Sequence, residues 1–233
     1  MFELGKLDEV KFNDFCLINF YEIQELELKF EDNIDIDSLL KVSYKNIKLL
    51  GLCGKIKNIN ILSKLPFKSL IELRLLNNDF YNCNIDIFRK VPFYNLETLV
   101  LQDNKISNIL GLTKAPFFQL ITLNLESNLI SDIKPLKNLP FINLTALNLA
   151  HNLIENIDPF CNAPFNNLKS LILSNNKIKD ISCLSRCNYR NLTNLDLSYN
   201  QIQNIHSLSE VSFTNLKYLD LGNNLIENIS ALN

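Results

Sequence analysis

The sequence predicts an α/β solenoid: short parallel strands stacked into one concave sheet, with 3₁₀ or irregular turns as the convex wall, wound right-handed into a horseshoe. Three observations predict it. The phrase Leu120-Ile121-Thr122-Leu123-Asn124-Leu125-Glu126-Ser127-Asn128-Leu129-Ile130 returns at Leu144, Leu168, Leu192 and Leu216, 24 residues apart each time. A fixed period in this range marks stacked repeats. Its last two leucines alternate with another residue, the period of a strand with one buried face. The following Ile-x-x-Ile-x-x-Leu, as in Ile130, Ile133 and Leu136, is spaced by three and fits a 3₁₀ turn.

Taken in order, residues 1–22 form a capping segment with Val10, Phe12, Phe15, Cys16 and Leu17 among charged neighbours. It is expected to shield the first rung, whose strand edge and core side chains would otherwise be open. Residues 23–233 form one elongated domain of about nine repeats of about 24 residues, starting at 23, 47, 70, 96, 120, 144, 168, 192 and 216. In the first rung Glu31 stands where an Asn is expected. The second is one residue short, and the third has two extra residues near Tyr81 and Asn84. The ninth unit reaches Leu232 with no Pro-Phe after it, which fits either a short end or a longer array.

Each buried leucine is worth roughly 1.5–3 kcal/mol relative to exposure. A lone rung cannot bury that face, so rungs must stack. Asn78, Asn104, Asn128, Asn152, Asn176, Asn200 and Asn224 hold the ninth place. There the chain turns inward and strands backbone polar groups, each costing about 1–3 kcal/mol if unpaired. An amide carries both donor and acceptor, so these seven read as a structural ladder. Pro-Phe follows the outer turn at 66, 92, 116, 140 and 164, with Asn188-Tyr189 and Ser212-Phe213 in the same place. Proline ends the turn and aims the ring inward, giving a second, aromatic spine. Asn95, Asn143, Asn167, Asn191 and Asn215 precede strands and suit the return turn.

Lys plus Arg is 23 and Asp plus Glu is 25, a formal net charge of −2. That balance argues against nucleic acid or a membrane surface as partner. No signal-like or membrane-spanning stretch is present in the sequence. Six scattered cysteines (Cys16, Cys53, Cys83, Cys161, Cys183 and Cys187) read as reduced thiols in a cytoplasmic chain. Cys161, Cys183, Cys187 and His206 fall on adjacent outer turns, a set whose chemistry would suit zinc. Cysteine is also a common small core residue, and no metal or other cofactor is expected. With two histidines, five glycines and no phosphate loop, no catalysis and no small-molecule substrate are expected.

Six consecutive units keep the phrase in register, and the chain resembles leucine-rich repeat proteins over residues 23–233. Asn-x-Ile-x-x-Ile-x-x-Leu is similar to two subgroups, the protein phosphatase 1 regulator-like proteins and the bacterial internalins. Ile130-Ser131-Asp132-Ile133-Lys134-Pro135-Leu136 looks like an internalin outer segment. Both subgroups usually repeat every 22 residues, and the 24-residue unit with its Pro-Phe departs from them. The resemblance implies a solenoid whose concave sheet binds another protein: a scaffold or adaptor, with a phosphatase-regulating subunit or an internalin-like surface or secreted adhesin as alternatives. Most outward strand positions are small and polar. The exceptions, Val100, Ile121, His151, Ile172, Asp196, Tyr199, Tyr218 and Asp220, are expected to be the partner-binding residues, toward the C-terminal half.

Overall fold

A computed structural model of the chain describes residues 2–7, 12, 16, 22–30, 33–42, 46–80, 85–211 and 213–229. Ten parallel strands form one sheet in strict chain order. The nine expected rungs supply β2 (Glu25–Phe30), β3 (Leu49–Cys53), β4 (Glu72–Leu76), β5 (Thr98–Val100), β6 (Thr122–Asn124), β7 (Ala146–Asn148), β8 (Ser170–Ile172), β9 (Asn194–Asp196) and β10 (Tyr218–Asp220). The capping segment adds a further strand, β1 (Phe2–Leu7), which pairs in parallel with β2 through Phe2↔Leu26 and Leu4↔Leu28. From the same segment Phe12 and Cys16 are buried, and Phe12 meets Phe30 edge-on at 5.4 Å. Cys83, Glu31, Ser212 and the two extra residues near Tyr81–Asn84 lie outside the described residues.

Register is fixed by the leucines. Leu73↔Leu99↔Leu123↔Leu147↔Leu171↔Leu195 run as partners from β4 to β9, and each is fully buried or nearly so. A slip of one residue would turn every one of them outward. Strands β2 and β3 run to six and five residues, against three from β5 onward. Their rungs lack the Asn that turns the regular chains inward. In the second rung the turn is made by Gly54 at φ 115, where an added Cβ would lie 2.4 Å from the Phe30 carbonyl.

The outer wall holds eight 3₁₀ turns among the described residues: Asp37–Lys41, Ile59–Lys64, Ile85–Arg89, Leu110–Lys114, Lys134–Asn138, Asp158–Asn162, Ser182–Arg186 and His206–Glu210. In the regular rungs the turn begins only after the second Ile of Ile-x-x-Ile-x-x-Leu; Ile109, Ile133, Ile157, Ile181 and Ile205 sit at its N-terminal boundary. The residue closing each turn is extended, as at Leu65, Ala115, Leu139 and Ala163. A following proline favours that conformation at these four, and Val42, Cys187 and Val211 adopt it without one. Phe67, Phe93, Phe117, Phe141 and Phe165 are fully buried behind those prolines. Phe117 and Phe141 stack at 6.3 Å, and Phe88 packs edge-on against Phe117 at 5.9 Å.

Candidate functional site: the outward sheet face

The ninth-place asparagines are buried from Asn78 to Asn200. Asn152 shows the pattern. Its Nδ2 donates to the carbonyls of Leu125, Leu149 and Ala150 at 3.0, 3.1 and 3.1 Å, and its Oδ1 accepts from Ile130 N at 3.0 Å. Asn128, Asn176, Asn200 and Asn224 repeat it one rung at a time, and Asn104 Oδ1 accepts from Asn78 N at 2.8 Å. Asn78 Oδ1 is buried with no partner. Its rung abuts the shortened second one, whose backbone pairs instead with Ile34.

Below this platform the same place is left-handed in seven rungs: Asn77, Asp103, Ser127, His151, Asn175, Tyr199 and Asn223, at φ between 53 and 57; Lys105 is left-handed as well, at φ 54. Asn and Asp tolerate that region; a bulky residue there is an outlier, costing about 1–2 kcal/mol. Four of the seven are Asn or Asp, Ser127 is small, and His151 is of a type also enriched there. Tyr199 is the bulky exception; it and His151 are both exposed, Tyr199 by 58%. His151 is steadied by Asn175, whose Nδ2 lies 2.9 Å from Nδ1. Tyr218, 52% exposed, stands on β10, and its hydroxyl donates to Asp220 Oδ2 at 3.0 Å. That bond to the Asp220 carboxylate holds the phenol above its ordinary pKa.

The other expected contact residues divide. Asp196 Oδ1 accepts from Ser198 N and Oγ, and Asp220 Oδ1 from Gly222 N. Asn124 and Asn148 do the same for Glu126 N and Ala150 N. The central strand place thus carries a turn-bracing acceptor that the sequence reading treated as free surface. Val100 and Ile172 occupy that place without an acceptor and are half-exposed, and Ile121 is exposed at the strand entry.

One arrangement needed the register to be seen. Glu27, Gly51 and Arg74 are partners across β2, β3 and β4. Gly51 has no side chain, so Arg74 reaches over it to Glu27 Oε1 at 2.7 Å while its Nε holds Glu72 Oε1 at 2.6 Å. The N-terminal end of the face is closed by its own ion pairs. The tyrosines lie at the other end.

The outer wall holds a second concentration of chemistry. Cys161, Cys183 and Cys187 place their sulfurs within 4.8 Å of one another. Bonding from Cys187 first, then from Cys161 and the Arg186 charge, holds the Cys183 thiol below its ordinary pKa; burial raises Cys161, and its bond to Cys183 raises Cys187. His206 is outside this group and borders a polar hollow with Ser182, Gln203 and Glu210.

Residues 142–186 and 190–233 each match the family pattern described as Leucine Rich repeats (2 copies). The chain carries leucine-rich repeats. Solved structures agree. An internalin, inlF of Listeria monocytogenes, is 28% identical over 89% of this chain, with a TM-score of 0.65. This chain spans 64% of that protein's length, a little under two thirds. Internalin C2 of the same organism is 26% identical over 85% of this chain and 80% of its own, TM-score 0.69. A plant peptide hormone receptor, RGFR1 in complex with RGF2, shares the fold at 19% identity over 88% of this chain and 40% of its own, TM-score 0.56. No curated protein sequence matches the chain. Leucine-rich repeats are generally a protein-interaction fold without catalysis. No helix among the described residues is long and apolar enough to cross a membrane.

Proposed function

We propose that this leucine-rich repeat chain is a non-catalytic scaffold or adaptor that holds a partner protein on the C-terminal half of its sheet face. One observation carries the reading. Tyr199 is kept in a left-handed conformation at φ 53 with its ring largely in solvent, where most other rungs use Asn, Asp or Ser. The repeat imposes this backbone in rung after rung, yet a tyrosine ring at that place gains little burial, and strain of this kind concentrates at functional positions. Tyr218 on the neighbouring β10, level with Asn194, adds a second large amphipathic side chain, the residue type enriched at binding hot spots. Val100, Ile121, His151 and Ile172 extend the surface toward the middle of the sheet, and Asp196 and Asp220 give it an acidic border. The location proposed is cytoplasmic, because the six cysteines are not grouped at the ends of the repeat array as in the stapled caps of secreted repeat proteins.

The experiment is capture of the partner from the source cell by the wild-type chain and by Tyr199→Ala/Tyr218→Ala. The double variant should bind the captured protein at least about tenfold more weakly with a nearly unchanged melting curve. Equal affinity would remove this surface from consideration. The likeness to two internalins supports a second reading, a surface or secreted adhesin. A processed leader on the natural protein and its recovery from the cell surface would favour it over the cytoplasmic adaptor.

A further inference from the structure

Four of the outer turns share a habit that the turn of Cys161 does not follow. Ser63, Thr113, Ser185 and Ser209 occupy equivalent places and turn their hydroxyls back onto their own turn, donating to the carbonyls of Asn60, Leu110, Ser182 and His206 at 2.7 to 2.9 Å. Cys161 stands at that place in its turn and points elsewhere. Its Sγ lies 3.1 Å from the Cys183 carbonyl of the next turn and 3.2 Å from Cys187 Sγ. Cys187 Sγ in turn lies 3.4 Å from the same carbonyl.

Packing does not require thiols here. The place of Cys183 is filled elsewhere by Gly111, Pro135, Pro159 and Ser207, and that of Cys187 by Ala115, Leu139, Ala163 and Val211. Three sulfurs from two adjacent turns nevertheless converge, two of them buried and Cys161 half-exposed. The same rung departs from the array once more. Tyr189 replaces the spine phenylalanine, and its hydroxyl donates to the carbonyl of Phe160, the residue before Cys161. The Arg186 guanidinium, 3.5 Å from Asp158 Oδ1, supplies positive charge at the rim.

We propose that Cys161, Cys183 and Cys187 form a binding site for a thiophilic metal ion, zinc being the type ion, with its fourth position open to solvent beside Cys161. Three thiolates select zinc or copper(I) over harder ions. Tetrahedral Zn–S bonds of about 2.3 Å set the sulfurs roughly 3.8 Å apart, between the 3.2 Å of the Cys161–Cys187 contact and the 4.8 Å limit of the set. Binding displaces the protons remaining on the thiols to solvent. The resulting site carries one net negative charge, which Arg186 faces. Bridging two rungs, the ion would also fasten them together.

The reduced full chain, stripped with a chelator under anaerobic conditions, is titrated separately with cadmium and zinc. One cadmium per chain is expected, with ultraviolet thiolate-to-metal charge-transfer absorption, and it should displace zinc from the zinc-loaded chain. Cys161→Ser installs the hydroxyl that Ser185 and Ser209 carry at the same place, so the variant keeps its fold, and its uptake should weaken by about tenfold or more. Cys183→Ser should do the same, and Cys53→Ser should leave uptake unchanged. Absence of stoichiometric uptake, equal uptake by Cys161→Ser, or an intact mass two hydrogens short from a Cys161–Cys187 disulfide in the reduced chain would each overturn the assignment.

Discussion

Asn152 Nδ2 lies 3.0 Å from the carbonyl oxygen of Leu125, one rung back in the stack. That bond and its equivalents make the interior of the turn a polar column inside an apolar core. The column lets the chain reverse without leaving N–H and C=O groups unpaired.

Asn152→Ala removes the acceptor of Ile130 N, while the carbonyls of Leu125, Leu149 and Ala150 keep Asn128 Nδ2, Asn176 Nδ2 and Ser127 N as donors. An unsatisfied buried group costs about 1–3 kcal/mol. A loss of about 1–3 kcal/mol is expected in urea unfolding followed by circular dichroism. Asn224→Ala, in the half-buried last rung, should cost clearly less.

Tyr199→Asn should raise stability by up to about 1 kcal/mol, because Asn tolerates the left-handed region that Tyr199 occupies. The same change should weaken partner binding. A gain in melting temperature with a loss of affinity separates a contact residue from a structural one.

Gly111→Ala should destabilise by about 1–3 kcal/mol. An added Cβ would sit 2.6 Å from the Ile85 carbonyl carbon and oxygen and 2.7 Å from Asp86 N, all backbone of the preceding turn. Pro135 and Pro159 fill the same place in later turns, so the clash belongs to the irregular third rung. Thermal unfolding of the variant checks it.

Burial pushes the Cys16 thiol up from the ordinary 9.0 to about 12. The folded chain keeps it protonated at pH values where the unfolded chain ionises it. This contribution to stability is fully present below pH 9.0 and is lost as pH rises toward about 12. At pH 9.0 iodoacetamide should leave Cys16 unmodified in the native chain and alkylate it in urea, as peptide mass mapping would show.

Much of this fold was legible because its cause is periodic. The leucines fix nine strands and their register, and the ninth-place asparagines lie where the turn strands its polar groups. Strand β1 escaped because Phe2-Glu3-Leu4 carries only the two-residue alternation and none of the repeat phrase. Asn95, Asn143, Asn167, Asn191 and Asn215 read as turn formers, yet each Nδ2 also donates to a carbonyl of the preceding rung. The Glu27–Arg74 pair depends on Gly51 lying between two strands, a relation between rungs that no single unit displays. Spacing brought four metal-ligating residues to neighbouring turns, but side-chain direction is not periodic, and only the three sulfurs meet. At the sheet face the sequence marked Tyr199 as large. That its backbone is left-handed became visible only in three dimensions.

The C-terminal sheet face, and not the outer wall, is the surface proposed to receive the partner. A photo-crosslinking residue at Tyr199 on that face, and in a second chain at exposed Glu155 on the outer wall, puts it to the test in the source cell. One discrete protein adduct is expected from position 199 and none from position 155. An adduct from position 155 alone, or the same products from both, would contradict it.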